Sequence, residues 1–364
     1  RPDRCWVGLK LRLKGHVGED AELITIAVPR KPKDFLKQAA KVGHPRELVS
    51  KYGILNERPV AENLRASPQQ VEGARASKLE QWRDLKKRLE VDNQRWFSNI
   101  PEHAARVLEG KDLALWDTLL KGLQYPDQEL IRDMGTGFKM MGWLPDSGVF
   151  EKQIRPPEMS VQAMLQQSQL QTPSTLQSLR QVRPDDLQNR VWQETLEEES
   201  KGWIWRDFSG QHQGLSVAKR FGLLQKKGKL RVIDDFRMSG ANSACAYTEK
   251  FHLLGLDFLA AILVNYISDR SARPKPLLGK TFDLVSAYKQ FPVSLEDRRV
   301  LRIATLDPSS SEPAVFGVNA LPWGLGKRCS ILEDLSQFVE PGCARVGVVL
   351  GSVFRRLPDV DLGR

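Results

Sequence analysis

The residue best placed to do chemistry is Asp283, which lies in a short apolar run at residues 281–284. The run predicts a strand, and residues 286–290 predict a turn or the start of a helix. A carboxylate at the C-terminal end of a rigid strand can hold Mg²⁺, because the following turn is open to solvent. An aromatic residue, Tyr288, follows five positions later. The alternative is an edge aspartate that caps the next helix, and this segment alone does not decide between them.

A second group of charged residues surrounds a predicted β-hairpin. The apolar runs 221–224 and 230–233 flank the sequence Lys-Lys-Gly-Lys, in which the glycine suits the turn. Lys227 and Lys229 near the tip, with Arg231 on the returning strand, would suit a triphosphate. Lysine supplies a mobile point charge for such a ligand, and arginine supplies a forked donor. The alternative is an exposed basic turn at the edge of a sheet.

Three segments, in this order along the chain, resemble reverse transcriptases. The first resembles the fingers strand and loop of that family through Arg231, Asp235, Phe236, Arg237 and Asn242. Residues 282–290 (Phe-Asp-Leu-Val-Ser-Ala-Tyr-Lys-Gln) resemble motif A, and residues 319–324 (Asn-Ala-Leu-Pro-Trp-Gly) resemble motif B. The amino-acid sequence of these segments is most similar to that of DIRS-like retroelement polymerases. The resemblance covers residues 220–324, which is under a third of the chain.

The resemblance implies an RNA-directed DNA polymerase that transfers nucleotides by two-Mg²⁺ phosphoryl-transfer chemistry. It implies that Asp283 is catalytic and binds both metal ions, and that Leu284 lends its backbone carbonyl to the incoming nucleotide. The turn on the template side would consist of Pro322, Trp323 and Gly324.

The same resemblance implies the remaining contacts to nucleotide. Tyr288 would screen the sugar of the incoming deoxynucleoside triphosphate. Arg231 would bind its phosphates, with Lys227 or Lys229 as a second contact. The expected partners are therefore deoxynucleoside triphosphates and an RNA or DNA template-primer.

The chain departs from the family where the second metal carboxylate is expected. That carboxylate comes from an Asp-Asp hairpin soon after motif B, but no Asp-Asp pair occurs after residue 235. Residues 352–358 read Ser-Val-Phe-Arg-Arg-Leu-Pro, and two arginines repel Mg²⁺. Codons for Phe-Asp-Asp-Phe-Pro, such as TTC-GAC-GAC-TTC-CCC, give Arg-Arg-Leu-Pro (CGA-CGA-CTT-CCC) when they are read one base earlier. We therefore hypothesise that the tail from about Leu325 is translated out of frame. An apolar strand with a basic edge is the alternative.

These departures predict little or no polymerase activity for this polypeptide. Two further interpretations stay open beside an inactive polymerase. The first is a non-catalytic, basic, nucleic-acid-binding remnant, and the second is a structural helical protein with a chance motif match. The net charge of +10 is consistent with a polyanionic partner.

Composition indicates a soluble, intracellular protein of the cytoplasm or nucleus with no membrane partner. No apolar window is long enough to span a bilayer, and no secretory signal is visible. The cysteines are expected to be reduced, because they form no Cys-x-x-Cys pair or regular framework; they are Cys5, Cys245, Cys329 and Cys343.

The pattern of apolar, proline and polar residues along the chain predicts an α+β fold. Leucine and tryptophan spacing predicts helices over residues 77–123, divided by Pro101. Residues 301–305 and 315–321 predict strands, and the Gln-, Ser-, Thr- and Pro-rich composition of residues 156–190 predicts a loosely packed connector. We expect a mainly helical region of unknown role over residues 1–155 and a connector over residues 156–200. An incomplete fingers–palm module with an antiparallel sheet would follow over residues 201–324, and a tail over residues 325–364.

Overall fold

The computed structural model describes the chain over residues 6–9, 26–29, 31–34, 37, 66–225, 228–250 and 286–322. Helices and strands both occur in these segments, so the predicted α+β fold class is confirmed. None of the helices in the described part is both long enough and apolar enough to cross a membrane. The residues outside the described segments include the tail from Leu325 and five predicted site residues, Lys227, Asp283, Leu284, Trp323 and Gly324.

Two short strands pair near the beginning of the chain. β1 (Trp6–Leu9) and β2 (Ile26–Pro29) are antiparallel, with Trp6 opposite Pro29. They belong to a different compact unit from the described residues that follow Ala66.

Helices fill residues 68–136, where side-chain spacing predicts helix over 77–123. Their bounds are α1 Pro68–Arg88, α2 Glu90–Asn99, α3 Glu102–Val107, α4 Leu113–Gly122 and α5 Leu130–Thr136. Ser67 begins α1 with a capping box, because Ser67 and Gln70 each accept a hydrogen bond from the other's backbone N–H. Pro101 separates α2 from α3, as predicted. Trp116 and Ile131 are buried in the main core.

A packed helix occupies the segment whose polar composition predicts a connector. The next elements are β3 Gly142–Trp143, β4 Glu151–Arg155, α6 Val161–Arg180 and α7 Asp186–Ser200. α6 buries Met164, Ser168, Thr172 and Leu179, so the expectation of loose packing is wrong for this helix. Apolar periodicity does not reveal it, because half of its buried positions are polar. The Thr172 hydroxyl is satisfied by donating to the Leu215 carbonyl at 2.8 Å.

A five-stranded sheet carries the predicted hairpin. It consists of β5 Ile204–Arg206, β6 Ser216–Leu224, β7 Leu230–Asp234, β9 Leu301–Asp307 and β10 Glu312–Val318, in the order β5-β10-β9-β6-β7. The β6–β9 pair is parallel and the other pairs are antiparallel, so the sheet is mixed rather than wholly antiparallel as expected. β9 and β10 correspond to the strands predicted at 301–305 and 315–321. A second sheet places β8 (Cys245–Lys250) between β3 and β4.

Helices α6 and α7 cover opposite faces of the five-stranded sheet. From α7, the Gln188 amide donates to the Thr305 hydroxyl at 3.0 Å. From α6, Leu179 packs with Ala304 and Val315. Because neighbouring side chains of a strand point to opposite faces, Thr305 and Ala304 mark the two sides. The sheet is therefore enclosed between α6 and α7, and β7 is its edge strand beyond β6.

Candidate functional site

The basic hairpin predicted from the sequence is formed by β6 and β7. Its pairing runs from Leu224 opposite Leu230 to Arg220 opposite Asp234. Near the tip, the Gln225 N–H donates to the Lys229 carbonyl at 2.9 Å. Gly228 has φ +72°, a backbone conformation that glycine adopts without strain. The expectation of a hairpin with glycine at the turn is confirmed.

The two faces of the hairpin have different surroundings. Gly222 faces α7 so closely that an added Cβ would lie 2.7 Å from the Val191 side chain. Val232 lies opposite Gly222 and shares that face, so its neighbour Arg231 lies on the face away from α7. Arg231 is exposed there, and its partner across the strands, Leu223, is 50% exposed. The face that carries Arg231 is thus the face open to a ligand.

A buried arginine fixes the base of the hairpin to α7. The Arg220 Nε lies 2.7 Å from Asp234 Oδ1, and its Nη2 lies 3.2 Å from Oδ2 of the same carboxylate. The guanidinium also donates to the Thr195 hydroxyl at 3.2 Å and to Glu198 at 2.8 Å. Burial opposes the charged form, but Asp234 and Glu198 outweigh it and raise the pKa of Arg220 above its ordinary value. This guanidinium is a structural cation, enclosed and paired.

The same cluster reaches the segment that follows Asp283. Lys289 belongs to a 3-10 turn, Ala287–Gln290, and its buried ammonium lies 2.9 Å from Glu198 Oε2. Burial alone would raise the pKa of Glu198, but the nearby Arg220 and Lys289 lower it to about 2. Glu198 therefore bridges two cations from separate parts of the chain. We call Glu198, Arg220, Asp234 and Lys289 the buried ion network.

The segment after Asp283 also pairs with the segment that leads into the predicted template-side turn. The Val293 N–H donates to the Asn319 carbonyl at 2.8 Å, and the Leu321 N–H donates to the Phe291 carbonyl at 2.9 Å. An isolated bridge joins Pro292 to Ala320. The chain before Pro322 is therefore held against the chain after Asp283.

The structure gives positions for four of the predicted site residues. Lys229 and Arg231 are exposed on the hairpin, whereas Tyr288 is half-buried and packs against the main core. Pro322 is buried at the end of the described segment. The hairpin base and the segments around Tyr288 and Pro322 are brought together by the contacts above.

Sequence patterns do not predict the contacts of the buried ion network. Arg220 and Asp234 become partners only once the hairpin register is known, since fourteen positions separate them along the chain. The hairpin itself indicates this pair, because a register that places residue 224 opposite residue 230 also places residue 220 opposite residue 234. Nothing in the sequence singles out Lys289 as buried or Glu198 as its partner.

The carboxylates of the described segments do not form a two-metal centre. Within the described segments, no group of three or more His, Cys, Asp or Glu side chains could hold a metal ion. The acidic residues beside the hairpin base, Asp234 and Glu198, are occupied by Arg220 and Lys289. Asp283 is outside the described residues, and the sequence offers no second carboxylate where motif C would supply it.

Comparison with known proteins gives no family assignment. No protein-family model matches the chain, and no curated protein has significant similarity to it.

Proposed function

We propose that this chain is a reverse-transcriptase-like nucleotidyltransferase of a retroelement, an RNA-directed DNA polymerase by ancestry. In this proposal it keeps surfaces for nucleotide and template-primer but lacks the second metal carboxylate. The basic hairpin contributes Arg231 and Lys229 to bind phosphates, with Tyr288 toward the sugar and Pro322 in the template-side turn. Asp283 would be the one remaining carboxylate of the metal site.

The observation that carries the proposal is that three separate segments meet. The buried ion network joins Lys289, six residues after Asp283, to the base of the basic hairpin. Backbone hydrogen bonds join the same segment to the residues before Pro322. A chance match of three short motifs gives no reason for the matched segments to contact one another. A shared nucleotide site does give a reason.

The chemistry of the exposed hairpin supports the binding half of the proposal. Arginine presents a planar fork that matches two phosphate oxygens, and lysine adds a mobile charge. Arg220 is buried and enclosed by Asp234 and Glu198, whereas Lys229 and Arg231 are exposed on the hairpin, where a ligand can reach them. Phosphate contacts of this kind weaken as salt is raised, because binding releases counterions.

The second candidate is a non-catalytic nucleic-acid-binding remnant. The same observations favour it on one point, since the acidic side chains near the hairpin base are occupied by cations. In that case the hairpin holds a strand by its phosphates, and Asp283 has no part in binding.

Primer-template binding separates the two candidates. We expect Arg231→Ala to weaken binding of an RNA–DNA primer-template and to make the affinity less dependent on salt. Arg95→Ala is the control, because Arg95 is an exposed arginine on α2 that pairs with Asp92. Fluorescence anisotropy over a series of salt concentrations measures both effects. Equal binding by wild type and Arg231→Ala would contradict both candidates.

Asp283→Ala then decides between the candidates. In the polymerase-like case, it abolishes the extra affinity that a matched deoxynucleoside triphosphate with Mg²⁺ gives to the bound primer-template. In the remnant case, it leaves binding unchanged. Primer extension by wild type is expected to be absent or very weak, and clear Asp283-dependent incorporation would overturn the statement that the metal site is incomplete.

A further inference from the structure

A cavity in the helical region lies between the end of α1, one side of α2 and the loop before α4. Its volume is about 660 Å³, within the range of about 300–1,000 Å³ typical of small-molecule sites. Its wall includes Lys86 from α1, Phe97 from α2, and Lys111 and Asp112 from the loop. None of these residues belongs to the motifs that resemble a polymerase.

Lys111 contributes a buried cation with little compensation. The residue is only 9% exposed, and its ammonium donates to the Val107 carbonyl at 3.2 Å. No ion pair of Lys111 occurs among the described residues. An ammonium has three N–H donors, so two of them remain for another acceptor. Burial also lowers the pKa of Lys111 to about 8, which reflects the cost of keeping this charge without an anion.

The neighbouring residue supplies an acceptor that is also unused. Asp112 Oδ2 lies 2.9 Å from the Lys86 ammonium, whereas its Oδ1 is buried and has no hydrogen-bond partner in the described structure. A buried carboxylate oxygen without a donor is unfavourable, and a ligand hydroxyl would satisfy it. Two consecutive residues of the cavity wall, Lys111 and Asp112, therefore have an unused donor and an unused acceptor.

The remaining charges of the wall limit the size of the anion. Arg83 and Lys87 pair only loosely with other residues of α1, at 3.5 Å and 3.8 Å. Glu90 and Glu109 are exposed on the same wall and would repel a long polyanion. A single phosphate is attracted by the cations of the wall, and it is small enough to stay away from the two exposed carboxylates. Phe97 adds an apolar surface beside it.

We propose that this cavity binds a small phosphorylated sugar, with its phosphate on Lys111 and a hydroxyl donating to Asp112 Oδ1. Lys86 keeps Asp112 in place and adds to the positive charge at the cavity. A mononucleotide carries the same sugar phosphate together with a base, which could stack on Phe97. The site is independent of the hairpin and of the proposed polymerase ancestry.

Calorimetric titration of the full chain tests this proposal with ribose 5-phosphate, adenosine 5′-monophosphate and inorganic phosphate. We expect saturable binding of ribose 5-phosphate, weaker binding of inorganic phosphate, and tighter binding of the mononucleotide if the base stacks. Lys111→Met should weaken sugar-phosphate binding by about tenfold or more, since it removes a charge-assisted hydrogen bond. Lys121→Met is the control, because Lys121 is an exposed lysine of α4 that pairs with Asp117.

Further variants keep the test decisive. Asp112→Asn should weaken ribose 5-phosphate more than inorganic phosphate, because only the sugar uses Oδ1. If Lys111→Met does not fold, as judged by circular dichroism, Lys86→Met should still weaken sugar-phosphate binding relative to Lys121→Met. The proposal is overturned if neither phosphate ester binds at millimolar concentration, or if the cavity variants that fold bind like wild type.

Discussion

At the scale of the residue, the buried ion network shows how charge is distributed around the hairpin. Arg220 has the forked geometry that suits a triphosphate, yet it lies inside the protein, paired with two carboxylates. Arg231 lies eleven residues later on the returning strand and is exposed. Hairpin pairing and burial, rather than residue type, separate a structural arginine from a candidate binding arginine.

Removal of one member of the network should destabilise the protein strongly. Asp234→Asn leaves the buried Arg220 without its bidentate partner. Breaking a buried ion pair in this way typically costs about 3–5 kcal/mol of unfolding free energy. Glu197→Gln is the matched control, because Glu197 lies on α7 in an exposed pair with Lys201 and should cost less than about 1 kcal/mol. Urea denaturation compares the two, and equal losses would refute a structural role for Asp234.

Acid should weaken the network through Glu198. Its folded-state pKa, about 2, lies below its ordinary value of 4.5. A depressed pKa stabilises the fold above the unfolded-state pKa, and this stability is lost as pH falls toward the folded value. The pKa difference corresponds to about 3 kcal/mol. We expect wild type to lose unfolding free energy between about pH 5 and pH 2 more steeply than Glu198→Gln. Urea denaturation at several pH values measures this, and parallel curves would contradict it.

At the scale of the element, the position of the hairpin depends on close packing against α7. Gly222 in β6 touches this helix where no side chain fits, with Val191, Leu187 and Leu230 around it. Glu198 and Thr195 on the same helix hold Arg220. α7 thus positions the hairpin both by shape and by charge.

A methyl group at Gly222 should separate the hairpin from α7. The Cβ of Gly222→Ala would lie 2.7 Å from Val191 and 2.9 Å from Leu230, so several side chains must move. Overpacking of this kind costs about 1–3 kcal/mol. Gly73→Ala in α1 is the control, since nothing lies within 4 Å of its Cβ, and helix propensity favours alanine by about 1 kcal/mol. Thermal melts should show opposite shifts for the two variants, and a stable Gly222→Ala protein would contradict the packing argument.

Across the whole molecule, the sequence predicts local elements better than it predicts long-range contacts. The break at Pro101, the hairpin and the strands β9 and β10 follow from proline, glycine and apolar runs that act over a few residues. Apolar periodicity does not predict α6, because two of its buried residues, Ser168 and Thr172, are polar. The contact between Lys289 and Glu198 spans 91 positions, and no local rule predicts a contact over that distance.

We propose that the basic hairpin and the segment around Asp283 form one nucleotide site. Photo-crosslinking of an azido-labelled deoxyadenosine triphosphate to the full chain, followed by tryptic peptide mapping, is the decisive measurement. We predict that unlabelled triphosphate competes for attachment and that the label is found on two peptides, residues 232–237 and 281–289. Attachment confined to other regions would contradict a shared site. So would attachment to only one of these peptides when the azido group is placed at each of several positions on the nucleotide.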